Sequence, residues 1–205
     1  MTEIYIATED ALSEAVADRL VEEANPGLCV AVRMGRKGNG FLKQKLFDLN
    51  ETARSIPVLL LTDLDRIECP PTLIGNWWSG RILANGMIFR VVVREIEAWL
   101  LADREGFAKL SGAPVGKVPH MPELLDDPKS ALLNLVARYG NRRLKDELLP
   151  AKGSHASVGF GYNQTLSQFV RKSWSVARAA ENASSLERVR RRLREFSDEM
   201  FVSRG

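Results

Sequence analysis

The 205-residue chain has only two cysteines and two histidines, and no apolar run near the ~18 residues that span a bilayer. Cys29 and Cys69 fall in or beside expected core elements, so they read as free thiols rather than a disulfide. His120 and His155 stand alone, with no Cys or Asp at zinc-ligand spacing. Ser154 and Ser157 lack the surroundings of a nucleophile elbow. Fifteen glycines and nine prolines are too few for a collagen-like or low-complexity chain. No internal repeat is visible. The opening Met1-Thr2-Glu3-Ile4-Tyr5 has no basic segment, so no secretory signal is expected and a cytoplasmic location is.

What the chain does have is 45% hydrophobic and 27% charged residues, enough to bury a core without disulfides or metals. Its net charge of +3 hides an asymmetry. Residues 1–128 hold 14 Lys/Arg and 19 Asp/Glu, a net of −5, while residues 129–205 hold 15 and 7, a net of +8. An acidic part followed by a basic one suggests a division of labour.

The first part alternates strand and helix patterns. Short apolar runs predict strands near 4–7, 28–33, 58–62 and 87–93. Val58-Leu59-Leu60-Leu61 is continuous rather than alternating, as in a parallel strand covered on both faces. Helical periods predict helices from Glu9 to about Glu23, from Phe41 to about Ala53, and from Ile96 to Ala108. The expected fold class is therefore α/β, with a mainly parallel four-stranded sheet over residues 1–111. Residues 112–128 form a Pro-rich connection. Residues 129–205 form a basic helical extension packed on the core. Asp127-Pro128 reads as the helix start that leads into it, Gly153 to Gly161 as a loop, and Ser184-Ser185-Leu186-Glu187 as a capping box. The last helix places Leu186, Val189, Leu193, Phe196 and Met200 on one stripe. Arg188, Arg190, Arg191, Arg192 and Arg194 surround it, either as a solvated face or as a surface for nucleic acid.

Functional groups of an open parallel sheet collect beyond the carboxyl ends of its strands. Here those ends read Thr8-Glu9-Asp10, Thr62-Asp63-Leu64-Asp65 and Arg94-Glu95-Ile96-Glu97. Carboxylates sharing one edge repel unless cations lie among them, and hard oxygen ligands suit Mg²⁺ or Mn²⁺. Acids at helix starts are also ordinary caps. But Asp63 and Asp65, two residues apart, cannot both cap one turn. The expected metal ligands are Glu9, Asp63, Asp65 and Glu97, with Asp10 and Glu95 left open. The basic loop around Arg36, Lys37, Gly38 and Gly40 is a candidate substrate-binding segment, because glycines let backbone N–H groups approach phosphate. It lacks the Gly-x-x-x-x-Gly-Lys-Ser/Thr spacing of a P-loop. Lys129 could neutralise a phosphate or a transition state.

A Glu after the first strand and an Asp-x-Asp after a later one resemble the TOPRIM fold of topoisomerases, primases and OLD-like nucleases. The runs Ala7-Thr8-Glu9-Asp10-Ala11-Leu12-Ser13-Glu14-Ala15-Val16 and Arg94-Glu95-Ile96-Glu97-Ala98-Trp99-Leu100-Leu101-Ala102-Asp103, with Asp127-Pro128-Lys129, look like a bacterial TOPRIM-like domain family. Members of that family are often encoded beside an ABC/AAA-type ATPase, in loci linked to defence against mobile DNA. The resemblance implies phosphodiester hydrolysis with one or two Mg²⁺ or Mn²⁺ ions. It makes Glu9, Asp63, Asp65, Glu97 and Lys129 the catalytic set, with nucleic acid and the ATPase as partners. Asp10 stands where many TOPRIM domains have Gly. Two other readings stay open. One takes Asp63 as the nucleophile of a haloacid-dehalogenase-type phosphatase, which leaves Glu9 unexplained. The other is a non-catalytic TOPRIM-like scaffold that binds an ATPase or nucleic acid.

Overall fold

The computed structural model describes residues 2–24, 27–79 and 82–202, with side chains through residue 199. In chain order its first elements are β1 (Thr2–Thr8), α1 (Ala11–Ala24), β2 (Leu28–Gly35), α2 (Gly38–Thr52), β3 (Val58–Asp63), α3 (Pro70–Trp77) and β4 (Met87–Val92). The four strands form one sheet in the order β2-β1-β3-β4, and every neighbouring pair is parallel. The protein is thus an α/β protein with a parallel sheet, as a TOPRIM-like or Rossmann-like core has. Successive side chains of a strand point to opposite faces. Val58 and Leu60 join Leu42, Leu46, Leu49, Leu73 and Phe89 in one buried cluster that packs α2 and α3 on the sheet. Leu59 and Leu61, also fully buried, face the other way. Burial on both faces is why β3 reads as an unbroken apolar run. Each fully buried leucine contributes on the order of 1.5–3 kcal/mol.

Helix α3 was not among the helices expected from the sequence. Pro70 and Pro71 occupy its first turn, where a missing N–H costs nothing. Helix α2 starts at Gly38, earlier than Phe41, so the expected loop 35–40 is shorter and its last three residues are helical.

From Arg94 to Ser184 the chain forms a second unit, while residues 1–93 and 185–205 make up the first. This division differs from the boundaries at 111 and 129 read from composition. The second unit contains α4 (Ile96–Ala102), α5 (Arg104–Ser111), α6 (Pro128–Tyr139), α7 (Arg142–Leu148), α8 (Tyr162–Lys172) and α9 (Val176–Ala180). Helix α4 lies against α6 and α9 and is buried along its whole length, including Trp99. The predicted helix 96–108 therefore breaks at Asp103, whose side chain caps α5 by accepting from Gly106 N at 3.0 Å. Asp127 caps α6 as anticipated, accepting from Ser130 N at 2.7 Å.

The last element is α10 (Ser184–Val202). Leu186, Val189, Leu193 and Phe196 are buried as the stripe requires, and the Met200 side chain lies outside the described residues. At the expected capping box, Ser184 donates from N and Oγ to Glu123, at 2.9 and 3.1 Å. Arg190 pairs with Glu23 of α1 at 2.8 Å, and Arg194 meets the same carboxylate. The arginine-rich helix thus belongs with the sheet. By sequence the first unit holds 16 basic and 16 acidic residues, a net of zero, and the second 13 and 10, a net of +3. The −5/+8 asymmetry belongs to the order of the chain and not to its folded units. Among the described residues no helix is long and apolar enough to cross a membrane.

Candidate functional site

In the order β2-β1-β3-β4, the chain leaves β1 toward β2 and later places β3 on β1's other side. The reversal opens a crevice at the carboxyl ends of β1 and β3, where ligands of open α/β sheets bind. Glu9 follows β1 directly, and Asp63 is the last residue of β3. The two are joined: Glu9 Oε1 accepts from Asp63 N at 2.9 Å and from the Thr62 hydroxyl. Burial pushes the Glu9 carboxyl above the usual carboxylate range. The bonds from Thr62 and Asp63 pull it back, and the nearby Asp65 and Asp10 push it up again.

The other acids of this edge differ in use. Asp10 accepts from Ser13 N at 2.8 Å, capping the start of α1. Asp63 is half-buried. Asp65 is exposed and takes a left-handed backbone at φ 51°, with Asn39 Nδ2 at 3.4 Å from its Oδ2. Among the described residues no three His, Cys, Asp or Glu side chains gather as a group able to hold a metal ion. All-carboxylate chemistry suits Mg²⁺ or Mn²⁺; of the expected ligands, Glu9, Asp63 and Asp65 stand at the ends of β1 and β3, while Glu97 belongs to the second unit. Glu9 is tied back onto β3, Asp10 serves a helix, and Asp65 faces solvent.

The turn from Gly35 to Gly38 is not laid open as a phosphate cradle. Its backbone N–H groups at Arg36 and Gly38 donate to Thr8 O and Glu9 O, both at 3.0 Å. The Arg36 guanidinium forks onto the buried carboxylate of Glu14, with Nε at 2.9 Å. Lys37 sits over the Phe41 ring at 5.1 Å, and space is open around Gly40. These residues brace the end of β1 and so position Glu9.

In the second unit, Glu97 is 2% exposed. Its Oε1 accepts from the Tyr162 hydroxyl at 2.7 Å and lies 3.5 Å from Lys129 Nζ, while Oε2 is buried with no hydrogen-bond partner. Lys129 N also donates to Glu95 Oε2 at 3.3 Å. Burial drives the Glu97 carboxyl upward, and Lys129 and Tyr162 only partly oppose it. Lys129 and Glu97 are therefore partners. Tyr162 and Thr62 went unanticipated. Thr62 adjoins the Asp-x-Asp and could have been suspected. Tyr162 lies 65 positions from Glu97, and nothing local in the sequence links them.

The raised Glu97 pKa has a testable sign. The folded protein holds this proton where the unfolded chain, at about pH 4.3, has begun to release it. The stabilisation from that proton is complete below this pH and is lost as pH rises to the folded value. Glu97→Gln keeps an acceptor for Tyr162 and removes the buried charge. It is expected to stabilise the protein relative to wild type by an amount that grows with pH above this point. Urea denaturation at stepped pH would refute this if the difference stayed flat.

No protein-family model matches the chain. No curated protein matches it either. Among solved structures, the C-terminal region of the Burkholderia pseudomallei OLD protein is similar at 15% sequence identity, covering 93% of this chain and 98% of that one, with a TM-score of 0.45.

Proposed function

We propose that this chain is a TOPRIM-like domain that hydrolyses phosphodiester bonds of nucleic acid with Mg²⁺ or Mn²⁺, in a defence-type system with a separate ABC/AAA-type ATPase. The observation that carries the reading is the 2.9 Å bond from Asp63 N to Glu9 Oε1. It joins the acids of two adjacent strand ends across the crevice where the sheet order reverses. Of acid-rich sites at such a place, a TOPRIM-like one explains Glu9 and the Asp63/Asp65 pair together. A phosphatase with Asp63 as nucleophile leaves Glu9 without a role. Glu9, Asp63 and Asp65 are the residues that would hold a divalent ion, which would polarise the phosphodiester and activate water. Glu97 and Lys129 join the catalytic set by the sequence resemblance alone.

The test is cleavage of supercoiled and linear DNA, and of RNA, with Mg²⁺ or Mn²⁺, with and without an added ABC/AAA-type ATPase. Asp63→Asn is expected to lower the rate by roughly 100-fold or more, as loss of a charge that organises a metal or transition state does. No cleavage by the wild type under any condition, or undiminished cleavage by the variant, would overturn the proposal. The second reading, a non-catalytic scaffold for an ATPase or nucleic acid, is favoured by the lack of a ready metal group among the described residues. It predicts no cleavage, with retained binding of the ATPase by both wild type and Asp63→Asn.

A further inference from the structure

Helix α10 divides its arginines between two faces. Arg190 and Arg194, four apart, turn to Glu23. Arg188, Arg191 and Arg192 turn the other way and line a cavity of about 310 Å³ against α3 and the edge strand β4. A fourth arginine, Arg90 of β4, completes the wall, and the only acid among the lining residues is Glu195.

The four cations are poorly balanced. Arg90 Nη1 donates to the carbonyl of Phe89 at 3.0 Å, but its Nε is buried with no partner. Arg188 has no acid within ion-pairing distance among the described residues. Arg191 reaches Glu195 at 3.6 Å, and Arg192 reaches Glu199 at 3.1 Å and Glu195 at 4.0 Å. Such solvent-exposed pairs hold charge only weakly. Burial, then repulsion from Arg192 and, more weakly, Arg191, disfavours the charged form of Arg90, although an arginine stays charged in proteins. A solvated arginine face explains Arg188 and Arg191. It does not explain a half-buried guanidinium set beside other cations with its Nε–H buried and unmet. A buried donor of this kind calls for an acceptor.

The geometry points to a binding site for a phosphoryl group in this groove, presented either by a nucleotide-sized phosphate monoester or by the phosphorylated end of a nucleic-acid strand. A phosphate monoester carries about −1.5 to −2 charge and three acceptor oxygens, which suits several guanidinium forks better than one carboxylate does. A second cavity of about 580 Å³ shares Arg192 in its wall and adds Arg54, Ser55 and Asn85, giving polar room for the rest of a nucleotide. The site uses none of the proposed catalytic acids, so it stands or falls apart from the nuclease reading.

Titration calorimetry of the full chain at constant ionic strength tests this. The probes are inorganic phosphate, adenosine monophosphate, and one short oligodeoxynucleotide with a 5′-phosphate or a 5′-hydroxyl. Saturable binding of phosphate-bearing probes is expected. Arg188→Ala, an exposed change that leaves the fold intact, is expected to weaken it about tenfold, with a further loss in Arg90→Gln. Arg142→Ala is expected to bind as wild type does. Tighter binding of adenosine monophosphate identifies the small-molecule source. Tighter binding of the 5′-phosphate strand identifies the strand end. The site is disproved if no phosphate-bearing probe saturates, if Arg188→Ala binds normally, or if the 5′-hydroxyl strand binds as tightly as its phosphorylated twin.

Discussion

Asp103→Ala is expected to destabilise the second unit by about 3–5 kcal/mol. Asp103 is fully buried, and every bond it accepts is short. Arg178 forks onto it, with Nε and Nη2 both at 2.7 Å. Ser175 N donates at 2.8 Å and Gly106 N at 3.0 Å. The hydrogen bond to this carboxylate is the main reason the Arg178 guanidinium is held above its usual pKa. Removing the carboxylate leaves two backbone donors unmet at the junction of α4, α5 and α9, while Arg178, 42% exposed, loses its partner but can turn to water. A 205-residue chain shifts by about 2–4 °C per kcal/mol, so a fall in melting temperature of at least about 6 °C should appear by circular dichroism. Asp103→Asn keeps the shape and part of the bonding and should fall between. A melt within a few degrees of wild type for Asp103→Ala would show that the second unit does not depend on this junction.

Gly35→Ala is the second large effect, expected at about 3 kcal/mol or more. Gly35 ends β2 opposite Thr8 with φ 116°, and a Cβ there would lie 1.9 Å from the Thr8 carbonyl oxygen. No side-chain movement relieves this, because the obstacle is backbone. The ends of β1 and β2 must part, breaking the bond from Arg36 N to Thr8 O and displacing Glu9. Gly38→Ala is the control. Its φ of 78° costs about 1–2 kcal/mol, but open space surrounds the added methyl. Urea melts should separate the two, and whatever the acidic edge does should be lost in Gly35→Ala. Equal losses in both variants would mean that the close approach at Thr8 relaxes freely.

Much of the first unit was legible because its signals are local. A parallel strand buried on both faces must be apolar without interruption, and Val58-Leu59-Leu60-Leu61 is. Glu9, Asp63 and Asp65 follow strand ends, where short-range pattern already places them. Asp127 announced the start of α6 because a cap acts over three residues. The second unit was less legible. Its helices are short, and Asp103 sits inside an apolar period that continues across it. Only its partners Ser175 and Arg178, more than 70 residues away, show why the helix ends there.

The sequence by itself determined the α/β class, the four strands and which acids stand at their ends, because each depends on side-chain period or on a neighbour a few residues away. Tertiary structure decided how those residues are used. It set Asp63 N on Glu9, paired Arg36 with Glu14, and joined Tyr162 and Lys129 at Glu97. It also dissolved the −5/+8 division by folding the arginine-rich α10 with the acidic sheet. Charge and hydrogen-bond partners are chosen by distance in space, and for groups tens of residues or more apart the order of the chain carries no record of that distance.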